Sequence, residues 1–180
     1  MAKRKMRIAV VHCFGGSPLL EGIVREDLPQ DCHAILEQYP DGIQQCKYGC
    51  LGGGSCIAAC RLKAITVGAN GAAFIDPDKC VGCGLCIKTC PMALIRFELP
   101  EDTIQPKCSN KDAGGVARKA CANSCIGCRI CEKNCPADAI HVIDNCAIID
   151  PNRCIACGMC AVKCPRGVIH DANGILTVEL

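Results

Sequence analysis

One cysteine phrase occurs three times in the chain, Cys-x2-Cys-x2-Cys-x3-Cys-Pro, at residues 80–91, 125–136 and 154–165. Three thiolates on such a tight loop can cover one face of a [4Fe-4S] cube, and the fourth, followed by proline, can complete a neighbouring cube. The chemistry that this spacing predicts is reversible one-electron transfer through bound clusters.

Cysteine accounts for 21 of the 180 residues, a content typical of secreted disulfide-rich proteins or of proteins that bind metal clusters. Disulfides join thiols in pairs and do not require a repeated spacing of three cysteines plus one. Zinc ribbons present separated Cys-x2-Cys pairs and have no need for a third cysteine or for the proline. The pattern therefore favours iron-sulfur clusters over disulfides and zinc.

A fourth cysteine phrase, at residues 46–60, is altered to Cys-x3-Cys-x5-Cys-x3-Cys, and Arg61 takes the place of the proline. Gly49 and the glycines at residues 52–54 lie among its cysteines. Glycine allows the backbone to wrap tightly around a cube even when the loop is longer. With this phrase included, the chain reads as a tandem repeat of two paired cluster motifs.

The first motif of each pair is followed by two runs of β-branched residues around a turn, at residues 64–77 and 139–151, which predicts two β-hairpins. We therefore expect an α+β fold of tandem bacterial-type 2[4Fe-4S] ferredoxin-like modules with an N-terminal extension. The predicted divisions are an extension at residues 1–42, a first dicluster module at 43–100, a linker at 101–121 and a second dicluster module at 122–180.

If the fourth cysteine of each motif crosses to the partner cube, the motifs define four ligand sets. In the first module, the predicted sets are Cys46, Cys50, Cys56 and Cys90, and Cys80, Cys83, Cys86 and Cys60. In the second module, they are Cys125, Cys128, Cys131 and Cys164, and Cys154, Cys157, Cys160 and Cys135.

The remaining cysteines lie outside these motifs. Cys146 is within a predicted hairpin, and we interpret it as a buried free thiol. The others are free thiols or the ligands of a fifth cluster, with zinc or a disulfide as further alternatives. A fifth cluster requires the N-terminal segment to fold back onto the linker, which spacing alone does not show. Its predicted ligands are Cys13, Cys32, Cys108 and Cys121.

The stretch at residues 45–56, the linker phrase at 107–112 and residues 125–128 resemble the B subunit of the Rnf complex, the membrane ferredoxin:NAD+ oxidoreductase. The resemblance extends over nearly the whole chain, and its most specific part is Cys-x3-Cys-Leu-Gly-x-Gly-x-Cys. It implies a polyferredoxin subunit of a hetero-oligomeric complex. Such a subunit accepts low-potential electrons from a ferredoxin-type donor and relays them to a flavin-bearing, NAD-linked oxidoreductase partner.

The beginning of the chain departs from that family, whose members usually start with a membrane-anchoring helix and a further four-cysteine region. No stretch of the sequence approaches the roughly 18 apolar residues of a membrane-spanning helix. We therefore expect a relative without an integral membrane segment, located in the cytoplasm or peripherally at the inner face of the membrane.

Other functional classes have less support in the sequence. A net charge of +2 and an aromatic content of 3% argue against nucleic-acid binding. The chain contains no dinucleotide-binding or Walker phosphate motif, and we do not expect catalysis by the chain alone. The alternative function is an iron-sulfur redox or metal sensor that acts through a protein partner, with Cys13 and Cys32 as the reactive pair.

Basic residues cluster around the linker and the start of the second module. They form either an ordinary solvated face or a docking surface for an acidic ferredoxin. These residues are Lys107, Lys111, Arg118, Lys119, Arg129 and Lys133.

Overall fold

A computed structural model describes residues 7–176, which fold into short helices and four two-stranded antiparallel sheets. This architecture confirms the predicted α+β class. In chain order the elements are β1 (Ile8–Val11), a 3-10 turn (Arg25–Asp27), α1 (Cys32–Gln38), α2 (Ser55–Ala59), β2 (Ile65–Val67), β3 (Ala73–Ile75), α3 (Leu85–Thr89), β4 (Ile95–Glu98), β5 (Ile104–Pro106), α4 (Gly114–Ala120), α5 (Ile130–Lys133), β6 (Ile140–Ile143), β7 (Cys146–Ile149), α6 (Met159–Val162) and β8 (Ile169–Asp171).

Both predicted hairpins are confirmed. Strand β2 pairs with β3, and β6 pairs with β7 so that Ile140 lies opposite Ile149. The turn of the second hairpin places Asp144 and Asn145 at φ values of 47° and 62°. A two-residue turn in which both residues have positive φ matches the right-handed twist of the two strands that it joins. Asp and Asn tolerate this conformation well.

The other two sheets join distant parts of the chain. Strand β1 pairs with β4, with Val11 opposite Ile95, and β5 pairs with β8, with Ile104 opposite Asp171. The segment predicted as an N-terminal extension thus contributes a strand to the first module, and the predicted linker contributes a strand to the second. The domain division stays a prediction, but this strand pairing favours modules that begin at β1 and at β5.

The helices that follow the cluster motifs, α2, α3, α5 and α6, are only four or five residues long. Each follows a residue in the left-handed conformation, which turns the motif loop into the helix. Glycine supplies this conformation at Gly54, Gly84 and Gly158, with φ values of 80°, 81° and 68°. Arg129 adopts it at φ 58° in the remaining motif. The backbone path is therefore shared by all four motifs, including the altered one.

The cores of the modules combine small aliphatic residues with cysteine sulfur. In the first module, Ile65 and Leu94 pack with Cys56 and Cys86. In the second, a larger group of isoleucine, valine and alanine residues packs with Cys125, Cys131, Cys146 and Cys160. Since so many motif cysteines belong to the cores, we expect cluster binding and folding to be coupled.

Within residues 7–176, no helix is long and apolar enough to cross a bilayer.

Candidate iron-sulfur sites

None of the 21 cysteines, all of which lie within residues 7–176, forms a disulfide, and most are buried or half-buried. In the described part of the chain, no group of three or more His, Cys, Asp or Glu side chains is arranged to hold a single metal ion. Four sulfurs around one zinc ion would lie within about 4 Å of each other. The thiolates of a [4Fe-4S] cube bind separate iron atoms at its corners and lie farther apart. The candidate cluster sites are therefore groups of four cysteines whose sulfurs lie farther apart than around a single metal ion.

The first such group, here called site 1, matches a predicted set. Its four cysteines line one cavity of about 270 Å³. Backbone N–H groups of Ala9 and Ala64 donate to the sulfurs of Cys80 and Cys60, each at 3.4 Å. Burial raises the pKa of Cys86, and the nearby Cys80 and Cys83 thiolates raise it further. The members of site 1 are Cys60, Cys80, Cys83 and Cys86.

The second group of the first module, site 2, differs from the predicted set by one member. Cys50, Cys56 and Cys90 line a cavity together with Cys32, and Cys46 is not among its lining residues. Burial raises the pKa of Cys56 to about 12, with further contributions from the Cys50, Cys32 and Cys90 thiolates. Site 2 therefore consists of Cys32, Cys50, Cys56 and Cys90.

Cys32 reaches site 2 because α1 packs directly on the glycine-rich loop. The Ser55 hydroxyl donates to Asp31 at 3.0 Å and accepts from the backbone N–H of Cys32 at 2.6 Å. A Cβ atom on Gly53 would lie only 2.7 Å from Ile35 Cδ1 and 2.9 Å from the Asp31 carbonyl carbon. The signals that sequence reasoning missed are the helix N-cap at Asp31 and the absence of a side chain at Gly53.

Cys46 instead joins three of the cysteines predicted for a fifth cluster. It lines one cavity with Cys13, Cys108 and Cys121, at the boundary between the modules. Burial raises the pKa of Cys46 to about 11, and the Cys121 and Cys108 thiolates raise it further. Cys13 has its pKa raised to about 12, mainly by burial. We call this group, Cys13, Cys46, Cys108 and Cys121, site 3.

The two remaining groups belong to the second module. Site 4 consists of Cys125, Cys128, Cys131 and Cys164, which line one cavity as the motif predicts. Burial raises the pKa of Cys131 to about 12, and the other three thiolates of the group raise it further.

In site 5, burial raises the pKa of Cys160 to about 11, with added repulsion from the Cys154 and Cys135 thiolates. The Cys135 sulfur also accepts from the backbone N–H of Ala139 at 3.3 Å. Cys157 is exposed on the loop before α6. The predicted set, Cys135, Cys154, Cys157 and Cys160, is therefore placed around the start of α6.

Cys146 belongs to none of the five groups. It is buried and its thiol donates to the backbone carbonyl oxygen of Cys108 at 3.0 Å. Its sulfur lies beside the sulfurs of Cys108 and Cys125, and the interaction with this thiol lowers the pKa of both and raises that of Cys146. This thiol therefore touches both site 3 and site 4.

The cysteine motifs and most of the chain are similar to known iron-sulfur proteins. The 4Fe-4S binding domain matches residues 73–96, 122–141 and 147–170. The B subunit of the Na+-translocating ferredoxin:NAD+ oxidoreductase complex of Acetobacterium woodii is 42% identical over 144 residues, which cover 80% of this chain and 43% of that protein. The chain is an RnfB-like polyferredoxin. It binds [4Fe-4S] clusters and is an iron-sulfur electron-transfer protein.

Two further relatives support this relationship. The B subunit of the proton-translocating ferredoxin:NAD+ oxidoreductase complex of Clostridium ljungdahlii is 40% identical over 146 residues, or 80% of this chain and 50% of that protein. The B subunit of an ion-translocating oxidoreductase complex of Methanosarcina acetivorans is 35% identical over 140 residues, or 78% of this chain and 53% of that protein. The polyferredoxin thus spans about half the length of these curated relatives.

Proposed function

We propose that the polyferredoxin relays low-potential electrons between a ferredoxin-type donor and a flavin-bearing oxidoreductase subunit, as one component of a hetero-oligomeric complex. The observation that carries this proposal is the convergence of motif cysteines at sites 1, 2, 4 and 5, each of which we propose to hold a [4Fe-4S] cluster. The names of the related complexes support the choice of a ferredoxin-type donor and an NAD-linked partner.

In each module, two short helices each carry a cysteine of one site and lead into a cysteine of the other. This arrangement supports close electronic coupling between the two clusters of a module. Helix α2 carries Cys56 of site 2 and ends at Cys60 of site 1. Helix α3 carries Cys86 of site 1 and ends at Cys90 of site 2. Since the same two helices hold both sites, their separation is fixed by rigid local structure. In the second module, α5 and α6 connect sites 4 and 5 in the same way.

A bound [4Fe-4S] cluster supplies reversible one-electron oxidation and reduction. The protein sets the potential through hydrogen bonds to sulfur, burial and nearby charge. Backbone N–H groups at Ala9, Ala64 and Ala139 donate to motif sulfurs, and such donors stabilise the more negative, reduced state. The polyferredoxin therefore needs no acid, base or nucleophile for the proposed role.

Electron entry and exit are proposed at sites 1 and 5. Each has one exposed ligand, Cys83 in site 1 and Cys157 in site 5, as site 4 has in Cys128. Sites 1 and 5 differ from site 4 in the apolar residue of the same loop, because Val81 and Ile155 are 67% and 66% exposed whereas Ile126 is half-buried. Site 2 has no exposed ligand. Partners that bind over the exposed loops would approach these two clusters closely.

The alternative function, a sensor based on a Cys13–Cys32 pair, loses its structural support. Cys32 lies in site 2 with Cys50, whereas Cys13 lies in site 3 with Cys46. The two thiols therefore belong to different groups.

The test is to purify the polyferredoxin without oxygen and to measure iron, acid-labile sulfide and the EPR spectrum during reductive titration. We expect at least about 16 iron atoms per chain, from four clusters, and reversible reduction without iron loss. Spin coupling between neighbouring clusters should broaden the spectrum. Little iron, or zinc in its place, contradicts the electron-transfer role. Cluster loss on mild oxidation, with a change in partner binding, would indicate a sensor instead.

A further inference from the structure

We propose that site 3 binds a fifth [4Fe-4S] cluster through Cys13, Cys46, Cys108 and Cys121, and that electrons pass through it between the two modules. This proposal rests on the proposed relay function. It also changes the ligand assignment predicted from the motifs, because Cys46 moves to site 3 and Cys32 takes its place in site 2.

The four sulfurs are brought together from four separate segments. Cys13 follows β1, Cys46 precedes the glycine-rich loop, Cys108 follows β5 and Cys121 is the C-cap of α4. Cys46 and Cys121 are both buried and pack with Ala120. All four cysteines line the same cavity, although the segments that carry them are far apart in the chain.

The backbone turns at these cysteines are similar to those at motif ligands. In sites 2 and 4, the backbone N–H of the second residue after Cys50 and after Cys125 acts to lower the pKa of the cysteine thiol. The N–H of the second residue has the same effect at each cysteine of site 3, and at Cys108 it donates to the sulfur at 3.4 Å. The residues that supply this N–H are Gly15 for Cys13, Tyr48 for Cys46, Asn110 for Cys108 and Asn123 for Cys121. Backbone turns of this kind prepare each thiolate to bind iron.

A buried asparagine side chain is also directed at the site. Asn110 is only 1% exposed, and its side-chain amide donates to the Cys46 sulfur at 3.4 Å. Its oxygen accepts from the backbone N–H of Asp112 at 2.7 Å, which fixes the orientation of the amide. Its own backbone N–H donates to the Cys108 sulfur at 3.4 Å. One residue thus supplies two donors to two sulfurs, a function expected of a cluster environment.

Polar contacts hold the four segments in register. The Ser17 hydroxyl donates to the carbonyl oxygen of Ala120 at 2.7 Å and accepts from the backbone N–H of Cys46 at 2.9 Å. The Arg166 guanidinium donates to the carbonyl oxygen of Cys121 at 3.1 Å, and its positive charge partly opposes the rise in the pKa of the Cys121 thiol that burial causes. Arg166 follows the Cys-Pro end of the last motif, so this contact joins site 3 to the second module.

Site 3 is linked to an inner site of each module by one hydrogen bond. The backbone N–H of Cys50, a member of site 2, donates to the Cys13 sulfur at 3.4 Å. The backbone N–H of Cys125, a member of site 4, donates to the Cys108 sulfur at 3.3 Å. The order of the relay is therefore site 1, site 2, site 3, site 4 and site 5. A cluster at site 3 would divide the distance between the modules into two short steps.

The experiment uses the full chain, purified without oxygen, and counts iron and acid-labile sulfide. Five clusters predict about 20 iron atoms per wild-type chain, and four predict about 16. The double variant Cys108→Ala/Cys121→Ala should lower the count from about 20 to about 16, because two remaining thiolates do not hold a cube. The control Gly115→Ala, in α4 where an added Cβ atom meets nothing within 4 Å, should keep about 20.

Single variants test the exchanged assignment. Cys46→Ala should weaken site 3 and leave the spin-coupled EPR signal of the first module intact. Cys32→Ala should weaken site 2 and uncouple the remaining cluster of site 1. The assignment is overturned if Cys46→Ala uncouples the clusters of the first module while Cys32→Ala leaves their spin-coupled signal intact.

A wild-type count of about 16 overturns the fifth cluster while leaving the proposed function in place. A count far below 16 overturns both. Because the wild-type count decides between these outcomes, the test does not depend on the folding of any variant.

Discussion

The backbone N–H of Cys125 donates to the sulfur of Cys108 at 3.3 Å, and the thiol of Cys146, which donates to the Cys108 carbonyl oxygen at 3.0 Å, lies beside both sulfurs. This arrangement places one free thiol between a site of the second module and the site at the module boundary. The one thiol proton can turn from the carbonyl oxygen to one of these sulfurs, where it stabilises the negative charge that increases on sulfur when a cluster is reduced.

Replacement of Cys146 by alanine should therefore make reduction harder at the clusters nearest to it. Loss of one weak hydrogen bond is worth about 1 kcal/mol, which corresponds to a shift of up to about 40 mV towards more negative potential. Potentiometric titration followed by EPR measures this shift. Cys146→Ser keeps a donor and should shift the potential less. A loss of iron in the alanine variant would identify Cys146 as a ligand instead.

Gly53→Ala should disturb site 2. The new Cβ atom would lie 2.7 Å from Ile35 Cδ1 and 3.0 Å from the backbone nitrogen of Cys32, so α1 would have to move away from the loop. We expect the iron content to fall by up to about four atoms per chain.

The matched control is Gly115→Ala in α4, where a Cβ atom meets nothing within 4 Å. Alanine in a helix is favoured over glycine by about 1 kcal/mol, so this variant should keep its iron and unfold at the same or a slightly higher temperature. Equal iron loss in both variants would show that the loss does not arise from the contact between Gly53 and α1.

Ser55→Ala should destabilise the contact between α1 and α2. The hydroxyl bridges Asp31 and the backbone N–H of Cys32, and its loss leaves a buried donor without this partner. The expected cost is about 1–3 kcal/mol. Thermal unfolding of the loaded protein and the rate of iron release to a chelator measure the effect. Asp78→Ala, at an exposed position, serves as the control and should change neither. Unchanged iron release in Ser55→Ala would contradict the proposed role of this bridge.

Removal of iron should unfold both modules. Buried motif cysteines make up much of each core, and their apolar partners are small. Metal-binding free energy is folding free energy in such domains. Treatment with a chelator and reductant should abolish most of the circular dichroism signal, and restored iron and sulfide should recover it. A stable, folded protein without iron would contradict this coupling.

The sequence predicts well the parts of the sites that depend on local spacing. Three ligands of sites 1, 4 and 5 lie on one tight loop, so their convergence follows from the chain itself. Cys32 and Cys46 could not be assigned in this way. The packing of α1 on Gly53 places Cys32 in site 2, and the contact of Ser17 with Cys46 helps to place Cys46 in site 3. These contacts join distant segments, and no local pattern encodes them.

The sequence does not predict the β1–β4 and β5–β8 pairings, for a similar reason. Strands β1 and β5 are four and three residues long and pair with β4 and β8 far along the chain. Such short segments resemble the beginning of an extension or a linker when read alone. The hairpins were recognised because their strands are adjacent and their turns carry recognisable residues.

The pairing of β1 with β4 and of β5 with β8 also determines when each site can mature during synthesis. A ribosome-bound chain can complete the first module only after β4 emerges, and the second only after β8 emerges. Cys13 is among the first cysteines made, yet its proposed partners Cys108 and Cys121 emerge much later. The boundary cluster would then be inserted only after the first module has already acquired its own iron.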